Sequence, residues 1–534
     1  MTRPTTTGKA QDLITFTRST TGTALAKISY GEELVTNGTF DTNTSGWTSW
    51  DNLTRPEAAS QVNGKGLLDA SVGTCDARQD ITVVAGKTYS VSVTMLEDSG
   101  ASGRLYMSDG ANYAYAFGSF QATGTETTFT KTITPTQNTV RLYAYNSGTA
   151  ITYYSNITVK EVLYDQPDGT LQLFNHPINK PRIEYDAEGN CLGLLVEEAR
   201  TNVLTYSEDF SNGAWSKQNA SITANTTVSP DGTLTGDKLI GNSATVNTEK
   251  FTNRSIYSYA GQTVTGSVYV KKAEYTWVQI NLYNSGAYSN RVWVNLDTGA
   301  VGTNLSSIPV TVTPVGDSWY RVVLTATIQA TGLAFLTVAL ADADGDLYTN
   351  VGDQYSGTYL WGAQLEQGSF PTSYIPTSGS AVTRAADVAS LAVSEFGYNQ
   401  DQGSVVLEAV MPPSVISEQF WILGSNTNSA RWAFSNSTSP NVNAYDGASI
   451  FTVSSLQPSA TQKMAIGTDQ STAIMCLDGV SGNQANTNGN ISSLTTVFYF
   501  GGNNGGAPFL NGHIKSIQYY PLRLSNAQLQ ALTV

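Results

Sequence analysis

Charged side chains are concentrated in one short stretch, "PRIEYDAEGNCLGLLVEEARTN", at residues 181–202. Seven of these 22 residues are charged, whereas charged residues make up 13% of the whole chain. Carboxylates beside an arginine suggest general acid/base chemistry, which needs two carboxylates held a fixed distance apart over a cleft. Glu197 and Glu198 are adjacent, however, and adjacent residues of a strand point to opposite faces. The pattern therefore favours a structural connector over a catalytic site.

The same stretch predicts a β-hairpin. "RIEY" alternates between apolar and polar residues, "DAEGN" supplies a turn in which Gly189 can adopt a positive φ, and "CLGLLVE" returns. On this interpretation the charged side chains face solvent at alternate positions. The hairpin would then serve as a polar clasp between modules.

Three groups of aromatic residues could bind sugars, because a flat ring covers the apolar side of a pyranose while nearby polar groups bind its hydroxyls. The candidate residues are Tyr113, Tyr115, Phe117, Tyr275, Trp277, Trp293 and Trp432. Tyr106, Tyr143, Tyr145 and Tyr283 lie in the same stretches. In each group the rings could instead be the inward row of a strand, and the pattern leaves this alternative open. Trp47, Trp215 and Trp361 are assigned to packing.

An acidic loop, "ADADGDLYTNVGD" at residues 341–353, is the best candidate for a metal site. Asp342, Asp344 and Asp346 could offer hard oxygen ligands to Ca²⁺, with Gly345 permitting a sharp turn. No glutamate closes the loop and no helical pattern flanks it, so it is not an EF-hand. The sequence favours a solvated acidic loop, keeps a structural Ca²⁺ as the alternative, and predicts no other cofactor.

Other catalytic signals are weak. The two histidines, His176 and His513, lie in different segments, and there is no G-x-S-x-G elbow, no H-E-x-x-H motif and no phosphate-binding glycine loop before a helix. The cysteines Cys75, Cys191 and Cys476 are sparse, which favours reduced, buried thiols over a disulfide framework. We therefore expect a protein that is not an enzyme.

Composition predicts an all-β chain. Its 534 residues are rich in Thr, Val and Tyr, which suit pleated strands, and its 48 glycines supply turns. The net charge of −14 argues against a nucleic-acid partner. No apolar run reaches the roughly 18 residues needed to span a bilayer, so membrane insertion is not expected. The polar N-terminus lacks a signal-peptide core, and we expect no ordinary secretion.

An internal duplication organises the first two thirds of the chain. "LVTNGTFDTNTSGWTSWD" (34–51) aligns with "LTYSEDFSNGAWSKQN" (204–219), which pairs Phe40 with Phe210 and Trp47 with Trp215. Alternating strands follow in both copies, so residues 34–163 and 203–376 are predicted to be two copies of one β-sandwich. A third series of short strands fills about 383–534 and ends in a helix with Ser525 as N-cap.

Three parts of the sequence resemble known families. Asn37, Gly38, Phe40, Gly46 and Trp47 resemble the "N-G-x-F … G-W" pattern of jelly-roll carbohydrate-binding modules. "MCLDGV" (475–480) and "GHIKSIQYYPLRLSNAQLQAL" (512–532) resemble a concanavalin A-like, laminin-G-type lectin domain. The stretches 14–25, 179–210 and 359–388 are together similar to tail-fibre, spike or head-fibre proteins of tailed-bacteriophage virions, although the first sandwich interrupts that similarity.

These resemblances imply a fold of tandem antiparallel β-sandwiches, two jelly rolls and one concanavalin A-like sandwich. The implied domains are a virion-attachment segment (1–33), a first jelly-roll carbohydrate-binding-like module (34–163), a connector with a β-hairpin (164–202), a second such module (203–376), and a linker with a lectin domain (377–534). The implied protein is a surface-exposed tail or head appendage of a virion, assembled in the host cytoplasm as a homotrimer with other phage proteins. It would bind host cell-surface polysaccharide without cleaving it; the alternatives are a purely structural head-decoration or tail subunit and a glycan depolymerase.

Overall fold

The chain divides into two compact units in the computed structural model. The smaller unit is Lys27–Thr170 with Thr227–Thr235, and the larger unit is Met1–Ala26, Leu171–Thr226 and Gly236–Val534. The structure describes residues 14–49, 59–62, 65–71, 73–109, 115–116, 124–242, 249–258, 260–284, 288–346, 352–410, 419–423, 432–436, 441–446, 450–454, 461–469, 471–482, 485–486, 497–501 and 510–534. For residues 59–62, 115–116, 284, 288–289, 485–486 and those between 419 and 454 it describes the backbone alone. Among these residues no helix is long and apolar enough to cross a membrane.

The smaller unit is a sandwich of two antiparallel sheets. The chain begins with β1 (Thr15–Thr17), which belongs to the larger unit. The next strands are β2 (Gly22–Glu33), β3 (Thr48–Ser49), β4 (Ala59–Val62), β5 (Lys65–Asp69), β6 (Cys75–Thr82), β7 (Tyr89–Glu97), β8 (Gly103–Ser108), β9 (Tyr115–Ala116), β10 (Thr127–Ile133), β11 (Thr139–Asn146) and β12 (Ile151–Tyr164). One sheet has the order β10–β7–β12–β2, with β5 also on β12 and β4 on β5, and the other has the order β3–β6–β11–β8–β9.

The core of the smaller unit comes from alternate residues of these strands. Val91, Val93 and Met95 of β7 are fully buried, as are Leu105 and Met107 of β8. Because successive side chains of a strand point to opposite faces, the residues between them must lie on the outer faces of the sheets. The predicted alternation of β7 is confirmed, and it fixes which side chains of the unit can reach a ligand.

A second sandwich lies within the larger unit. The strands from Thr170 onward are β13 (Thr170–His176), β14 (Ile183–Tyr185), β15 (Cys191–Val196), β16 (Arg200–Asn202), β17 (Ser216–Gln218), β18 (Ala220–Thr227), β19 (Gly236–Gly241), β20 (Phe251–Ser258), β21 (Thr263–Lys272), β22 (Trp277–Asn284), β23 (Tyr288–Asn295), β24 (Val301–Asn304), β25 (Val310–Pro314), β26 (Trp319–Thr327), β27 (Gly332–Ala341) and β28 (Gly357–Gln367). The sheets are β17–β20–β27–β22–β23–β24 and β18–β19–β28–β21–β26–β25. Trp215 and Trp361 are buried by packing, as predicted.

The C-terminal sandwich is built from three separate parts of the chain. β29 (Val382–Arg384) pairs with β16 in a separate two-stranded sheet. The sandwich's own strands are β30 (Val388–Ala392), β31 (Gln402–Val410), β32 (Gln419–Leu423), β33 (Trp432–Asn436), β34 (Asn441–Asp446), β35 (Ile450–Ser454), β36 (Thr461–Asp469), β37 (Thr472–Leu477), β38 (Val480–Ser481), β39 (Ala485–Asn486), β40 (Val497–Phe500) and β41 (Gly512–Tyr520). One sheet, β1–β30–β40–β32–β33–β34–β35, takes in the N-terminal strand. The other, β14–β15–β41–β31–β36–β37–β38 with β39 on β37, takes in the hairpin. The structure thus adds β1, β14 and β15 to the domain predicted at 377–534.

Two local predictions for this sandwich are confirmed. The single α-helix that the described residues contain, α1 (Asn526–Leu532), begins after Ser525, whose side chain accepts the Gln528 N–H in a capping box. Asp478 and Gly479 both have positive φ and form the turn between β37 and β38, as the Asp-Gly pair predicts. The short strand-end signals in the sequence were therefore sufficient to place these elements.

The hairpin at residues 181–202 is confirmed, but its environment differs from the prediction. Strands β14 and β15 pair around a turn in which Gly189 has a φ of 83°, and β15 pairs with β41. Arg182 and Glu197 were expected to face solvent, yet both are buried. Cys191 is exposed, against the expectation of a buried thiol, while Cys75 and Cys476 are buried.

The duplicated segments place equivalent rings in equivalent contacts. The Phe40 and Trp47 ring centroids are 5.4 Å apart and those of Phe210 and Trp215 are 4.5 Å apart, each pair at an interplanar angle of 39°. Each indole N–H donates to the carbonyl of a residue with positive φ, Asn37 in one copy and Tyr206 in the other. The contacts agree with a common origin for the two sandwiches.

A second equivalent contact uses different chemistry in the two copies. Oε1 of Glu33 accepts the backbone N–H groups of Val35 and Val159, at 2.8 and 2.9 Å. Oδ1 of Asn202 accepts those of Leu204 and Leu365, both at 3.1 Å. In each copy one side-chain oxygen therefore joins the start of the module to its last strand.

Five charged residues form a buried cluster in the larger unit, and we name it the arginine–carboxylate cluster. Its members are Arg18, Arg182, Glu197, Arg384 and Asp387, and each residue is at most 5% exposed. Asp387 pairs with Arg18 at 3.0 Å and closely with Arg182, and Glu197 pairs with Arg182 at 2.8 Å. The members come from three stretches of chain that the first and second sandwiches separate in sequence. The charged residues of the hairpin therefore do connect separate stretches of the chain, but through buried ion pairs.

Hydrogen bonds and neighbouring charges hold Glu197 of this cluster in the charged form. Oε1 and Oε2 of Glu197 accept the N–H and O–H of Ser373, both at 2.7 Å, and Asp387 accepts the Glu197 N–H at 2.9 Å. Burial acts to raise the pKa of Glu197, but the charges of Arg384 and Arg182 and these hydrogen bonds lower it to about 2. A carboxyl with such a pKa is a poor general acid, so the structure agrees with the connector and not with acid/base catalysis.

Replacing Asp387 by alanine should strongly destabilise the larger unit. The substitution leaves Arg18 and Arg182 buried with fewer anionic partners, and breaking a buried ion pair costs about 3–5 kcal/mol. Urea unfolding followed by tryptophan fluorescence measures the loss. As a matched control, Asp297→Ala removes an exposed partner of Lys272 and should cost no more than about 1 kcal/mol. Equal effects of the two substitutions would contradict a structural role for the cluster.

His176 should make the larger unit less stable in acid. Burial, followed by the charges of Arg182 and Arg18, lowers the pKa of His176 to about 3. The unfolded chain takes up this proton near pH 6.5 and the folded chain does not, so the free energy of unfolding falls as the pH drops from about 6.5 to 3.

In a series of urea titrations between pH 7 and pH 4.5, His176→Gln should flatten this dependence by up to about 1.4 kcal/mol per pH unit. Glu197 acts mainly below that window, because the unfolded chain takes up its proton near the ordinary pKa of 4.5 and the folded chain at about 2. An unchanged slope in the variant would show that His176 is not the group responsible.

Candidate functional site

The outer face of the β3–β6–β11–β8–β9 sheet carries a row of tyrosines. Leu105 and Met107 of β8 face the core, and Val140 and Leu142 of β11 do the same. The alternate residues therefore lie on the outer face, and the strand register places Tyr143 opposite Tyr106 and Tyr145 opposite Arg104. We name this surface the tyrosine platform; its members are Arg78, Arg104, Tyr106, Tyr143 and Tyr145.

The platform residues contact one another and remain partly exposed. The ring centroids of Tyr106 and Tyr145 are 5.4 Å apart at 72°, an edge-to-face contact. The Arg78 guanidinium lies 4.9 Å from the centroid of Tyr143, and Arg104 donates to the Tyr106 hydroxyl at 2.9 Å. All five side chains are half-buried. Rings fixed in this way can stack on a pyranose while the guanidinium and phenol groups bind its hydroxyls.

A buried tyrosine beneath the platform fixes its two strands together. Tyr154 of β12 is 1% exposed, and its hydroxyl accepts the Arg104 N–H at 3.1 Å and donates to the Tyr145 carbonyl at 2.7 Å. Burial raises the pKa of Tyr154, so this hydroxyl keeps its proton as a donor. The spacing of Arg104 and Tyr145 is thus set from the core side of the sheet.

The predicted sugar-binding residues of this unit are only partly described. Tyr113 and Phe117 lie outside the described residues. Tyr115 lies in β9 opposite Met107, and its side chain is not described. Their roles stay predictions. Tyr106, Tyr143 and Tyr145 are not among the residues that the sequence analysis predicts to bind sugar. The apolar alternation of β8 and β11 is the sequence signal that places these tyrosines on the outer face of the sheet.

The larger unit has a second candidate surface on the outer face of its β17–β20–β27–β22–β23–β24 sheet. Tyr283 of β22 lies opposite Phe335 of β27, and the two rings stack with centroids 4.6 Å apart at 5°. Gln279 and Asn281 precede Tyr283 on the same face of β22, and both are buried. Thr337, opposite Asn281, is 5% exposed, and its hydroxyl has no hydrogen-bond partner in the described structure.

Trp293 was predicted to bind sugar, and this prediction is wrong. Its side chain is 0% exposed, and its indole N–H donates to the backbone carbonyl of Asp346 at 2.8 Å. No face of the ring is left for a ligand. Tyr275 and Trp277 are half-buried, and their predicted role stays open. Trp432 lies in β33, where side chains are not described.

The three aspartates of the acidic loop do not form the calcium site considered from the sequence. Asp344 accepts the Thr303 N–H at 2.7 Å, and Asp346 offers its carbonyl to Trp293. Asp342 is half-buried and acts on Lys250 through its charge. Across the described ranges, no group of three or more His, Cys, Asp or Glu side chains could hold a metal ion.

One segment of the chain matches a known family model. Residues 32–149 match the family described as a carbohydrate binding domain, CBM_4_9. This segment contains the whole tyrosine platform, and the match supports a carbohydrate-binding function for it. No curated protein sequence matches the chain.

Solved structures with β-sandwich folds resemble parts of the chain. The CBM40 of Ruminococcus gnavus IT-sialidase bound to α2,3-sialyllactose is 18% identical, with 26% of this chain and 84% of that chain covered and a TM-score of 0.23. The CBM22 tandem of Paenibacillus barcinonensis Xyn10C is 12% identical (64% and 98% covered, TM-score 0.21). Mouse laminin α1 domains LG4-5 are 10% identical (55% and 89% covered, TM-score 0.19). At these TM-scores the likenesses carry no conclusion about this chain.

Replacing Thr337 by valine should leave the larger unit as stable as before or slightly more stable. Its buried hydroxyl has no partner among the described residues, so an isosteric methyl group removes a desolvation cost and no hydrogen bond. Thr265→Val is the matched control, because the Thr265 hydroxyl lies 2.9 Å from both the Thr325 hydroxyl and the Gly368 carbonyl. This control should lose about 1–3 kcal/mol in urea unfolding. A comparable loss for Thr337→Val would mean that its hydroxyl is bonded in solution.

Proposed function

We propose that the protein is a glycan-binding adhesin of a bacteriophage virion, of the tail-fibre, spike or head-fibre type, and that it does not cleave its ligand. The tyrosine platform carries this proposal, because it presents three partly exposed rings and two guanidinium groups within the segment that matches a carbohydrate binding domain. Host cell-surface polysaccharide is the proposed partner.

Each residue of the platform has a definite part in this proposal. Tyr106 and Tyr145 meet edge to face and form a corner in which a sugar ring can stack on one phenol while it touches the edge of the other. Tyr143 is covered on one side by the Arg78 guanidinium, and bidentate pairing with Asp76 fixes that guanidinium. Tyr154 acts through the backbone and is a positioning residue.

A non-catalytic role is supported by the pairing of nearby carboxylates. Asp76 is bound by Arg78 through two hydrogen bonds of 3.0 Å, and Asp80 is bound by Arg141. The hydrogen bond from Arg141 lowers the pKa of Asp80. A glycan-cleaving enzyme needs one carboxyl group with a raised pKa beside a second carboxylate, and the pKa of Asp80 is shifted in the opposite direction.

The virion context is supported by the positions of the phage-like stretches. Residues 14–25 contain Arg18, residues 179–210 contain Arg182 and Glu197, and residues 359–388 contain Arg384 and Asp387. The similarity to virion fibres thus coincides with the arginine–carboxylate cluster. We propose surface exposure on a tail or head appendage, assembly in the host cytoplasm as a trimer, and contacts with other virion proteins.

Several weak sites would act together in such an assembly. A shallow ring platform buries little ligand area, so we expect each site to bind weakly. The outer face of the second sandwich, with the Tyr283–Phe335 stack, is a second proposed sugar surface in each chain. Linked sites on a trimer raise the overall affinity through effective concentration, by up to about 10²–10⁴-fold.

Replacing Tyr145 by alanine should weaken glycan binding by about 10-fold, equivalent to about 1.4 kcal/mol, because it removes one side of the stacking corner. A glycan array identifies a ligand for the full chain, and calorimetry then measures its affinity. Tyr30→Ala is the control, because Tyr30 is an exposed tyrosine on the other sheet of the same unit.

Other outcomes separate the alternatives. Release of soluble fragments from a bound polysaccharide would indicate a depolymerase. A folded protein that binds no glycan on the array would favour a purely structural subunit, and either result would contradict the proposal.

A further inference from the structure

Three arginines lie on the outer face of the β3–β6–β11–β8–β9 sheet, and two of them are neutralised. Arg78 makes two hydrogen bonds of 3.0 Å to Asp76, and Arg141 pairs with Asp80. Arg104 has no carboxylate within ion-pair distance in the described part of the chain. One positive charge on this surface is therefore left over, in a chain whose net charge is −14.

The hydrogen-bonding capacity of Arg104 is mostly unused. Its Nη1 donates to the Tyr106 hydroxyl at 2.9 Å, and its Nε is buried with no partner in the described structure. A guanidinium has five N–H donors, so several remain for a ligand. The hydrogen bond to Tyr106 raises the pKa of Arg104, which keeps the group charged at any physiological pH.

The position of Arg104 is set by the same contacts that set the platform. Its backbone is held by the Tyr154 hydroxyl, and its register neighbour across the sheet is Tyr145. A sugar ring stacked in the Tyr106–Tyr145 corner would therefore carry its substituents beside the free guanidinium. The planar fork of arginine matches a carboxylate through two parallel hydrogen bonds, which are stronger than those to a neutral hydroxyl.

We infer that the tyrosine platform takes an acidic glycan, with a carboxylate-bearing sugar such as a uronic acid placed against Arg104. This inference rests on the proposed function and specifies the class of glycan. Arg104 is assigned to the ligand carboxylate because Arg78 and Arg141 already have carboxylate partners within the protein. Arg104 would receive its carboxylate partner from the ligand.

The test compares glycans that differ only in charge. An array carries oligosaccharides of galacturonic, glucuronic and mannuronic acid and sialyl-oligosaccharides, each beside its methyl ester, together with neutral and sulfated glycans. The full chain should bind at least one carboxylate form, and methyl esterification of that glycan should weaken binding by about 10- to 100-fold, since hydrogen bonds to charged groups contribute about 1.5–3 kcal/mol.

Substitution of Arg104 then assigns the effect to this residue. For the bound glycan, Arg104→Gln should lower the affinity of the acid to that of the ester and change the affinity of the ester by less than about 2-fold, a non-additive result in a double-mutant cycle. Arg141→Gln, at an arginine that Asp80 already pairs, is the matched control and should change neither affinity by more than about 2-fold. Unchanged thermal unfolding confirms that both variants fold.

The outcomes distinguish this inference from the proposed function. Binding of neutral glycans alone, or equal binding of acids and esters, overturns the acidic class and leaves the adhesin proposal standing. Preference for sulfated glycans without carboxylates also overturns it. Equal losses for acid and ester in Arg104→Gln would show that Arg104 only supports the platform. No binding to any glycan would overturn both proposals.

Discussion

The larger unit depends on the arginine–carboxylate cluster, in which three buried arginines pair with two buried carboxylates. Arg18, Arg182 and Arg384 carry one more charge than Glu197 and Asp387 can balance, and backbone carbonyls accept further N–H groups from each arginine. Such a cluster contributes little net stability compared with apolar packing, because desolvation of the charges offsets most of their attraction. We interpret its effect as one on specificity, because an arrangement that separates the three chain stretches leaves buried charges without their ionic partners.

This constraint explains how one sandwich can be assembled from distant parts of the chain. β1 joins one sheet of the C-terminal sandwich and the β14–β15 hairpin joins the other, and the cluster lies where these stretches come together. The first two sandwiches are then insertions into a domain that is interrupted twice. The match to a carbohydrate binding domain falls within the first insertion.

The sequence predicts strands, turns and helix starts well, and it predicts less well which side chains are buried. Alternation predicted β7, the Asp-Gly pair predicted the β37–β38 turn, and Ser525 predicted the helix start, because each signal is local. The burial of Arg182 could not be predicted in the same way, since its partner Asp387 is 205 residues away. Charged residues are expected outside until a partner is known.

The candidate sugar-binding residues show the same contrast between predictable strands and unpredictable burial. Both Trp293 and Tyr145 occupy alternate positions of strands, and the pattern cannot tell which side of each sheet is covered. The structure covers Trp293 completely and leaves Tyr145 partly exposed. The sequence also gives no signal for Arg104, because its lack of an ionic partner emerges only when Asp76 and Asp80, on the same face of the sheet, are found to pair with Arg78 and Arg141.

The insertion of the first sandwich has a mechanical consequence. The chain enters this unit within β2 and leaves it at the start of β13, and it enters again for Thr227–Thr235, so four covalent connections tie the unit to the rest of the protein. A pulling force on anything held by the unit is divided among these connections. A single proteolytic cut in any one of them would leave the unit attached through the others.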